Sequence, residues 1–342
     1  MSKKLFDFAI GNPPYQQESN GANDNSTPIY HNFLDAAFSI SKKVEMIHPA
    51  RFLFNAGGTP KAWNEKMLND EHLKVLHYEE DATKVFANTD IKGGVAITYR
   101  DCDTIYKAIG VFTKYPELNS IRQKVWEKTT DSLCTVITNR GIYRYSNMVY
   151  KVHPEEMKKT ADRRIAPSCF ERMPALFTEE KPIDDKEYIQ ILGVKKSNRF
   201  YKWFRKDFVT DVDNLKKYKV LVPKATGSGA FGETLSNPLV VGPMVGFTET
   251  FISIGACDNE QDANATLRYV KTKFLRTLLS ILKVTQNNAK PTWAYVPLQD
   301  FTIASDIDWT KSIHEIDLQL YRKYGLSAEE VAFIETNVKE ME

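Results

Sequence analysis

The feature that most constrains this chain is Asn12-Pro13-Pro14-Tyr15, which closes the apolar run Leu5-Phe6-Asp7-Phe8-Ala9-Ile10-Gly11. An alternating apolar segment of this kind predicts a buried strand, and Gly11 with the proline pair stops it abruptly. Two consecutive prolines forbid helix and remove two backbone donors. The chain must therefore leave the strand as a rigid extended turn, with an amide before the prolines and an aromatic ring after them. Such a turn suits one flat polar object. The Asn12 side-chain carbonyl and the Pro13 main-chain carbonyl can both accept from an exocyclic amino group, and Tyr15 can stack on a ring.

Downstream, strand and helix patterns alternate. Gln16 to Thr27 is polar and reads as a mobile loop. Pro28 to Ser41 carries apolar residues at helical spacing, Val44 to Ile47 reads as a strand, and Thr59 to Asn69 as a helix with Trp63 and Met67 on one face. Leu73 to Tyr78 and Gly93 to Tyr99 read as strands, the second entered through a tight Gly turn, and these two are expected to pair antiparallel. This order predicts an α/β sheet. Val111 to Arg140 looks helical. Beyond Gly141 the pattern is mixed. Tyr188 to Leu192, Tyr218 to Val222, Leu239 to Val241 and Phe251 to Ile254 read as strands, Ala263 to Lys283 as one amphipathic helix, and Asp308 to Tyr324 and Ser327 to Glu340 as a final helical pair. Ser327 and Glu330 form a capping-box pattern.

Composition narrows the class without naming an activity. At 342 residues the chain can bury a core and divide into two domains. No apolar run approaches a membrane span, and Met1-Ser2-Lys3-Lys4 leads straight into the first strand with no signal-peptide pattern. The four cysteines lack a Cys-x-x-Cys pair, which points to free thiols in a reducing, cytoplasmic setting and to no metal site. A net charge of +2 means that any nucleic-acid surface must be local. One local candidate is the stretch Lys195, Lys196, Arg199, Lys202, Arg205 and Lys206, interleaved with Phe200, Tyr201, Trp203 and Phe204. Its bland alternative is a solvated amphipathic face. Lys224, ahead of the Gly-rich loop Ala225 to Gly232, is a second.

Asn12-Pro13-Pro14-Tyr15 after Phe-Asp-Phe-Ala-Ile-Gly resembles the catalytic motif of DNA methyltransferases acting on the N6 amino group of adenine. Val220 to Ala225, Lys283 to Gln286, Ala294 to Phe301 and Tyr321 to Leu326 look like the target-recognition region of the type II restriction-modification members of that family. The resemblance implies a partial Rossmann-like methyltransferase domain over 1–112, a mixed α/β target-recognition domain over 113–302 and a C-terminal helical segment over 303–342. It implies S-adenosyl-L-methionine as cofactor and double-stranded DNA as partner. The adenine must leave the stack to be reached. Asn12 and Pro13 would then orient its amino group and Tyr15 would cover one face. Phe86, in Val85 to Val95, matches the family's second stacking aromatic, with a core-packed loop anchor as the alternative. Ile47 to Leu53 resembles the strand-end segment that follows the motif, and His48 is read there as structural. DNA contact is assigned to Lys195, Lys196, Arg199 and Lys224.

One departure matters. The family's cofactor motif, a Gly-rich turn followed one strand later by an acid, ordinarily precedes the Asn-Pro-Pro-Tyr motif, and only eleven residues precede it here. Gly227-x-Gly229-x-x-Gly232 fits poorly as a substitute, since Asn237-Pro238 interrupts any following helix. The expectation is a split enzyme, inactive until a partner chain completes the cofactor site in a hetero-oligomer. The alternative is a non-catalytic DNA-binding or specificity protein derived from such an enzyme.

Overall fold

The computed structural model describes residues 4–17, 27–55, 58–87, 91, 93–196 and 198–341. Contacts divide the chain into two compact units, Met1–Asn119 and Ser120–Glu342. The helical segment expected as a separate C-terminal piece lies within the second.

The first unit is built on a four-stranded sheet. Strand β1 (Phe6–Gly11) leads through helix α1 (Tyr30–Ile40) to β2 (Ser41–Pro49), and helix α2 (Lys61–Leu68) leads to β3 (Leu73–Glu79), followed by β4 (Val95–Asp101). The strand order is β1-β2-β4-β3. β1 and β2 are parallel, with Phe8 opposite Lys43 and Ile10 opposite Glu45. β4 runs antiparallel to both β2 and β3. The expected antiparallel pair is present, and β4 is inserted between β2 and β3. Both helices pack on one face. Tyr30 and Leu34 from α1 and Trp63, Met67 and Leu68 from α2 share a core with Leu73 and Ala96, against which Met46 and Val75 also pack. The Gly turn before β4 is obligatory: Gly94 has φ +76°, and a Cβ there would overlap the Glu79 carbonyl oxygen.

The second unit starts within α3 (Pro116–Lys128). The helix expected over Val111 to Arg140 is limited to those residues. Downstream, Ser132 caps a short 3-10 turn at Leu133–Val136, and the Leu133 amide donates to the Val296 carbonyl at 2.8 Å. Short helices α4 (Asn147–Val152), α5 (Pro154–Met157) and α6 (Cys169–Arg172) follow. Then come β5 (Tyr188–Lys195), β6 (Asn198–Arg205), β7 (Tyr218–Pro223), β8 (Leu239–Val241), β9 (Val245–Phe247) and β10 (Phe251–Cys257). They form two three-stranded sheets, β6-β5-β9 and β10-β7-β8.

The single helix expected over Ala263 to Lys283 is two, α7 (Glu260–Lys271) and α8 (Lys273–Leu279). Thr272 is extended, and its hydroxyl caps the Leu275 amide. The buried Asp317 carboxylate accepts from the amides of Lys273 at 3.0 Å and Phe274 at 2.8 Å. These bonds satisfy the orphan donors of α8 and hold the break open. Asp317 belongs to α9 (Ile313–Tyr324), and α10 (Ala328–Asn337) closes the chain with the expected Ser327–Glu330 capping box. Among the described residues no helix is long and apolar enough to cross a membrane, and the four cysteines are free.

Candidate functional site

β1 and β2 are parallel, so Asn12 and the segment after Pro49 leave the sheet at the same, carboxyl edge. β3 also ends at this edge and β4 begins there, because Pro49 and Glu79 both pair with Val95. Asn12-Pro13-Pro14-Tyr15 therefore stands where the ends of four strands converge. Asn12 and Pro14 are exposed, Pro13 is buried and Tyr15 is half-buried. The Tyr15 carbonyl accepts from the Ile29 amide at 3.1 Å, and the Gln17 amide donates to the Thr27 carbonyl at 3.0 Å. These bonds tie the motif to the start of α1. Residues 18–26 of the loop expected to be mobile lie outside the described residues. The Tyr15 hydroxyl is buried without a hydrogen bond of good geometry. Burial raises its pKa, and the neighbouring Asn12 side chain opposes that rise.

Phe86 reaches the same place. Its amide donates to the Ala82 carbonyl at 2.8 Å, and its ring packs with Tyr15 on Ala82, Ile91 and Val95. The two ring centroids are 6.4 Å apart at an interplanar angle of 66°. A base held between two faces needs near-parallel rings roughly 7 Å apart, twice the 3.4 Å nucleotide spacing. One ring must therefore turn before both can stack on the same adenine. Residues 88–90 and 92 of the segment that carries Phe86 lie outside the described residues.

His48 is fully buried. Nε2 is 2.8 Å from the Thr98 hydroxyl and Nδ1 is 3.1 Å from the Pro49 carbonyl. The carbonyl can only accept, so Nδ1 carries the proton and Nε2 accepts from Thr98. Burial drives the pKa down to about 4, against the Pro49 hydrogen bond. With its ring stacked on Tyr30 at 5.7 Å, His48 is a neutral packing residue.

The Gly-rich loop of the second unit does not fit a nucleotide cofactor. Gly227, Gly229 and Gly232 all have positive φ, and such turns aim backbone amides at an anion. Here the anion belongs to the chain. Glu233 accepts from the Ser228 amide at 2.7 Å and the Gly229 amide at 2.8 Å, and it pairs with the nearly buried Lys283. Burial pushes the Glu233 carboxyl pKa up, but the bonds from Lys283, Ser228 and Gly229 outweigh it and hold the value at about 2. A Cβ on Gly229 would overlap the Thr285 backbone, and one on Gly232 the Asn337 carbonyl. The loop is pinned on both sides. Sequence reasoning missed Glu233; the signal was an acid one residue after the last glycine.

The basic stretch forms the β5–β6 hairpin. Lys195 pairs with Glu171 at 3.2 Å, Lys202 with Glu179, Arg205 with Asp207 at 2.6 Å and Lys206 with Glu187 at 2.6 Å. Lys196 is exposed at the hairpin turn with φ +47°. Arg199 donates to the Ser236 carbonyl at 3.2 Å and to that of Asn237, and lies over the Phe251 ring. The Lys224 main chain bonds to Thr250 and Asn288. Among the described residues, Asp101, Cys102 and Asp103 bring three ligand-type atoms within 4.8 Å of one another, and Asp101 already pairs with Lys43 and Thr104.

Residues 1–86 match the family model of the Eco57I restriction-modification methylase. An uncharacterized adenine-specific methylase of Mycoplasma pneumoniae is 23% identical over 168 residues, covering 46% of this chain and 40% of that protein. The chain thus spans less than half the length of this curated relative. Among solved structures, the type IIG restriction endonuclease BpuSI aligns over 91% of this chain and 48% of its own, with TM-score 0.32 and 10% identity. The type IIL restriction-modification enzyme MmeI, in complex with DNA, aligns over 97% and 56%, with TM-score 0.32 and 9% identity. Residues 1–86, the segment that holds Asn12-Pro13-Pro14-Tyr15, are thus similar to a restriction-modification methylase family, and just under half of the chain is similar to an adenine-specific methylase.

Proposed function

We propose that this chain is a subunit of a DNA adenine-N6 methyltransferase of a restriction-modification system, and that a partner chain completes its S-adenosyl-L-methionine site. The observation that carries this reading is the position of Asn12-Pro13-Pro14-Tyr15 at the carboxyl end of β1, the outermost strand of an open sheet. In open α/β sheets ligands bind outside the carboxyl ends of the strands, where the strand order reverses. A sheet that continued beyond β1 would reverse its order there. The crevice would then open beside Asn12.

In this role Asn12 Oδ1 and the Pro13 carbonyl accept the two amino hydrogens of an extruded adenine, which turns the nitrogen lone pair outward. Tyr15 stacks on one face and Phe86 covers the other after one ring turns. The sulfonium cofactor supplies an already activated methyl group, so the chain needs no strong base here, in keeping with a neutral, buried His48. None of the described residues reads as a cofactor cradle, because the one Gly-rich candidate is filled by Glu233. Phosphate contact falls to Lys195 and Lys196 on the hairpin turn and to Lys224. Arg199 acts indirectly by holding the chain at Ser236 and Asn237.

The test is to co-express the chain with a polypeptide carrying the Gly-rich cofactor motif and to measure N6-methyladenine in host DNA. Methylation should require both chains. Asn12→Ala should lower it about 100-fold or more, the loss typical of one preorganised polar contact, while DNA binding is retained. Micromolar binding of S-adenosyl-L-methionine by the chain alone would sink the split-site reading.

A further inference from the structure

The four-stranded sheet has two faces, and its own helices cover one. On the covered face Val44 and Leu73 are buried, and Arg100 lies over the Phe38 ring of α1. The opposite face is fixed by the register and by side-chain contacts. Lys43 lies over the Phe8 ring and pairs with Asp101 at 3.4 Å, and Lys74 lies over the Tyr99 ring. Ile47 stands opposite Ile97 on that same face, and Glu45 opposite Tyr99.

This second face is open and rich in large apolar side chains. Phe6, Phe8 and Ile10 are 56%, 63% and 77% exposed, and Ile47, Ile97 and Tyr99 are only half-buried. Lys43 and Glu45 of β2 cross it between the β1 residues and Tyr99, and Lys74 lies on its β3 side. Isolated exposed apolar residues need no explanation, but six large ones on one face of three adjacent strands mark an interaction surface.

The topology says what covers it. The crossovers β1–α1–β2 and β2–α2–β3 join parallel strands and step across the sheet in one direction. Such crossovers are right-handed, so both helices fall on the same face, as the shared core shows. Strands added outward from β1 step the other way, and the same rule places their crossover helices on the opposite face. The apolar open face selects this outward order over an inward one, which would bring the helices to the face already filled.

We propose that the partner carrying the cofactor motif both extends the sheet at the β1 edge and lays an amphipathic crossover helix over the face formed by Phe6, Phe8, Ile10, Ile47, Ile97 and Tyr99. This rests on the partner reading above and adds the surface and the element that docks. Ile97 discriminates, because it lies on β4, two strands and roughly 10 Å from the β1 edge. Strand addition alone does not reach it.

The experiment uses the full chain and the cofactor-motif polypeptide of the methylation assay. Ile97→Cys is labelled with maleimide in the chain alone and in the complex, read by peptide mapping to separate it from the native cysteines. Ile97→Asp is assayed for co-elution with the polypeptide after its fold is checked by circular dichroism. The expected result is a tenfold or larger fall in labelling within the complex and loss of co-elution for Ile97→Asp. A complex in which Ile97→Cys labels at the free rate overturns this inference and leaves the partner reading standing. Failure of the wild-type chain to form any complex removes both. Protection in the chain alone, together with a dimer mass by light scattering, overturns the inference in favour of a second copy on this face.

Discussion

Replacing Glu233 with Gln tests whether the Gly-rich loop is a self-filled anion nest. The substitution keeps shape and removes charge. Lys283, with a side chain only 4% exposed, then loses its counter-ion, and the Ser228 and Gly229 amides face a weaker acceptor. The Glu233 pKa lies at about 2 against 4.5 for an unperturbed glutamate. That gap of about 2.5 units, at 1.36 kcal/mol per unit, is worth about 3 kcal/mol. Removing one partner of a buried pair gives a similar figure, about 3–5 kcal/mol. In a unit of this size each kcal/mol moves the melting temperature by roughly 2–4 °C, so Glu233→Gln should melt about 6–12 °C lower in calorimetry at pH 7. The sign with pH follows from the depressed value. The contribution is complete above about 4.5 and is lost as pH falls toward 2. A double-mutant cycle with Lys283→Met should show strong coupling. A melting shift under about 2 °C, or single-mutant effects that simply add, would refute the nest.

Two buried groups in different units should respond to acid with opposite signs. Burial raises the Asp317 pKa from 3.8 to about 6, with the Phe274 and Lys273 amides opposing. Its unit should therefore gain up to about 3 kcal/mol as pH falls from 6 toward 4, and Asp317→Asn should flatten that gain in denaturant titrations. His48, lowered from 6.5 to about 4, destabilises its own unit over much of the same range, because the unfolded histidine takes up its proton first. A His48→Asn variant that keeps the acid sensitivity of the first unit would contradict this. Gly94→Ala should destabilise the first unit by about 2–3 kcal/mol, since φ +76° and the Glu79 carbonyl both oppose a Cβ. An unchanged urea midpoint would count against that reading.

Strands β1, β2 and β4 were legible because each is a short apolar run that a Gly or Pro bounds, and the cap at Ser327 because its chemistry is local. What the sequence concealed depends on residues distant along the chain. The apolar period runs unbroken from α7 into α8, and the break at Thr272 is held by Asp317, 43 and 44 residues downstream of the amides it binds. The stretch read as a basic, aromatic nucleic-acid surface is strand β6 with the end of β5. Acids that balance it come from Glu171, Glu179 and Glu187, none of which is near it in a helical reading of the sequence.

The motif that opened the sequence reading is also the one whose setting the fold sharpens most. Alternation in Phe6-Asp7-Phe8-Ala9-Ile10 predicts a buried strand, yet Phe6, Phe8 and Ile10 are among the most exposed large apolar residues described. A strand with buried-type sequence and exposed side chains is a contradiction only if the sheet is complete. With one edge and one face open, the same residues form the surface on which the proposed partner would dock. On the proposed reading, the amide of Asn12 stands at the boundary between what this chain supplies and what a partner supplies. On the proposed function, catalysis at Asn12 and association through Phe8, Ile47 and Ile97 should be separable by mutation: Asn12→Ala should lower methylation about 100-fold or more in an intact complex, whereas Ile97→Asp should abolish the complex.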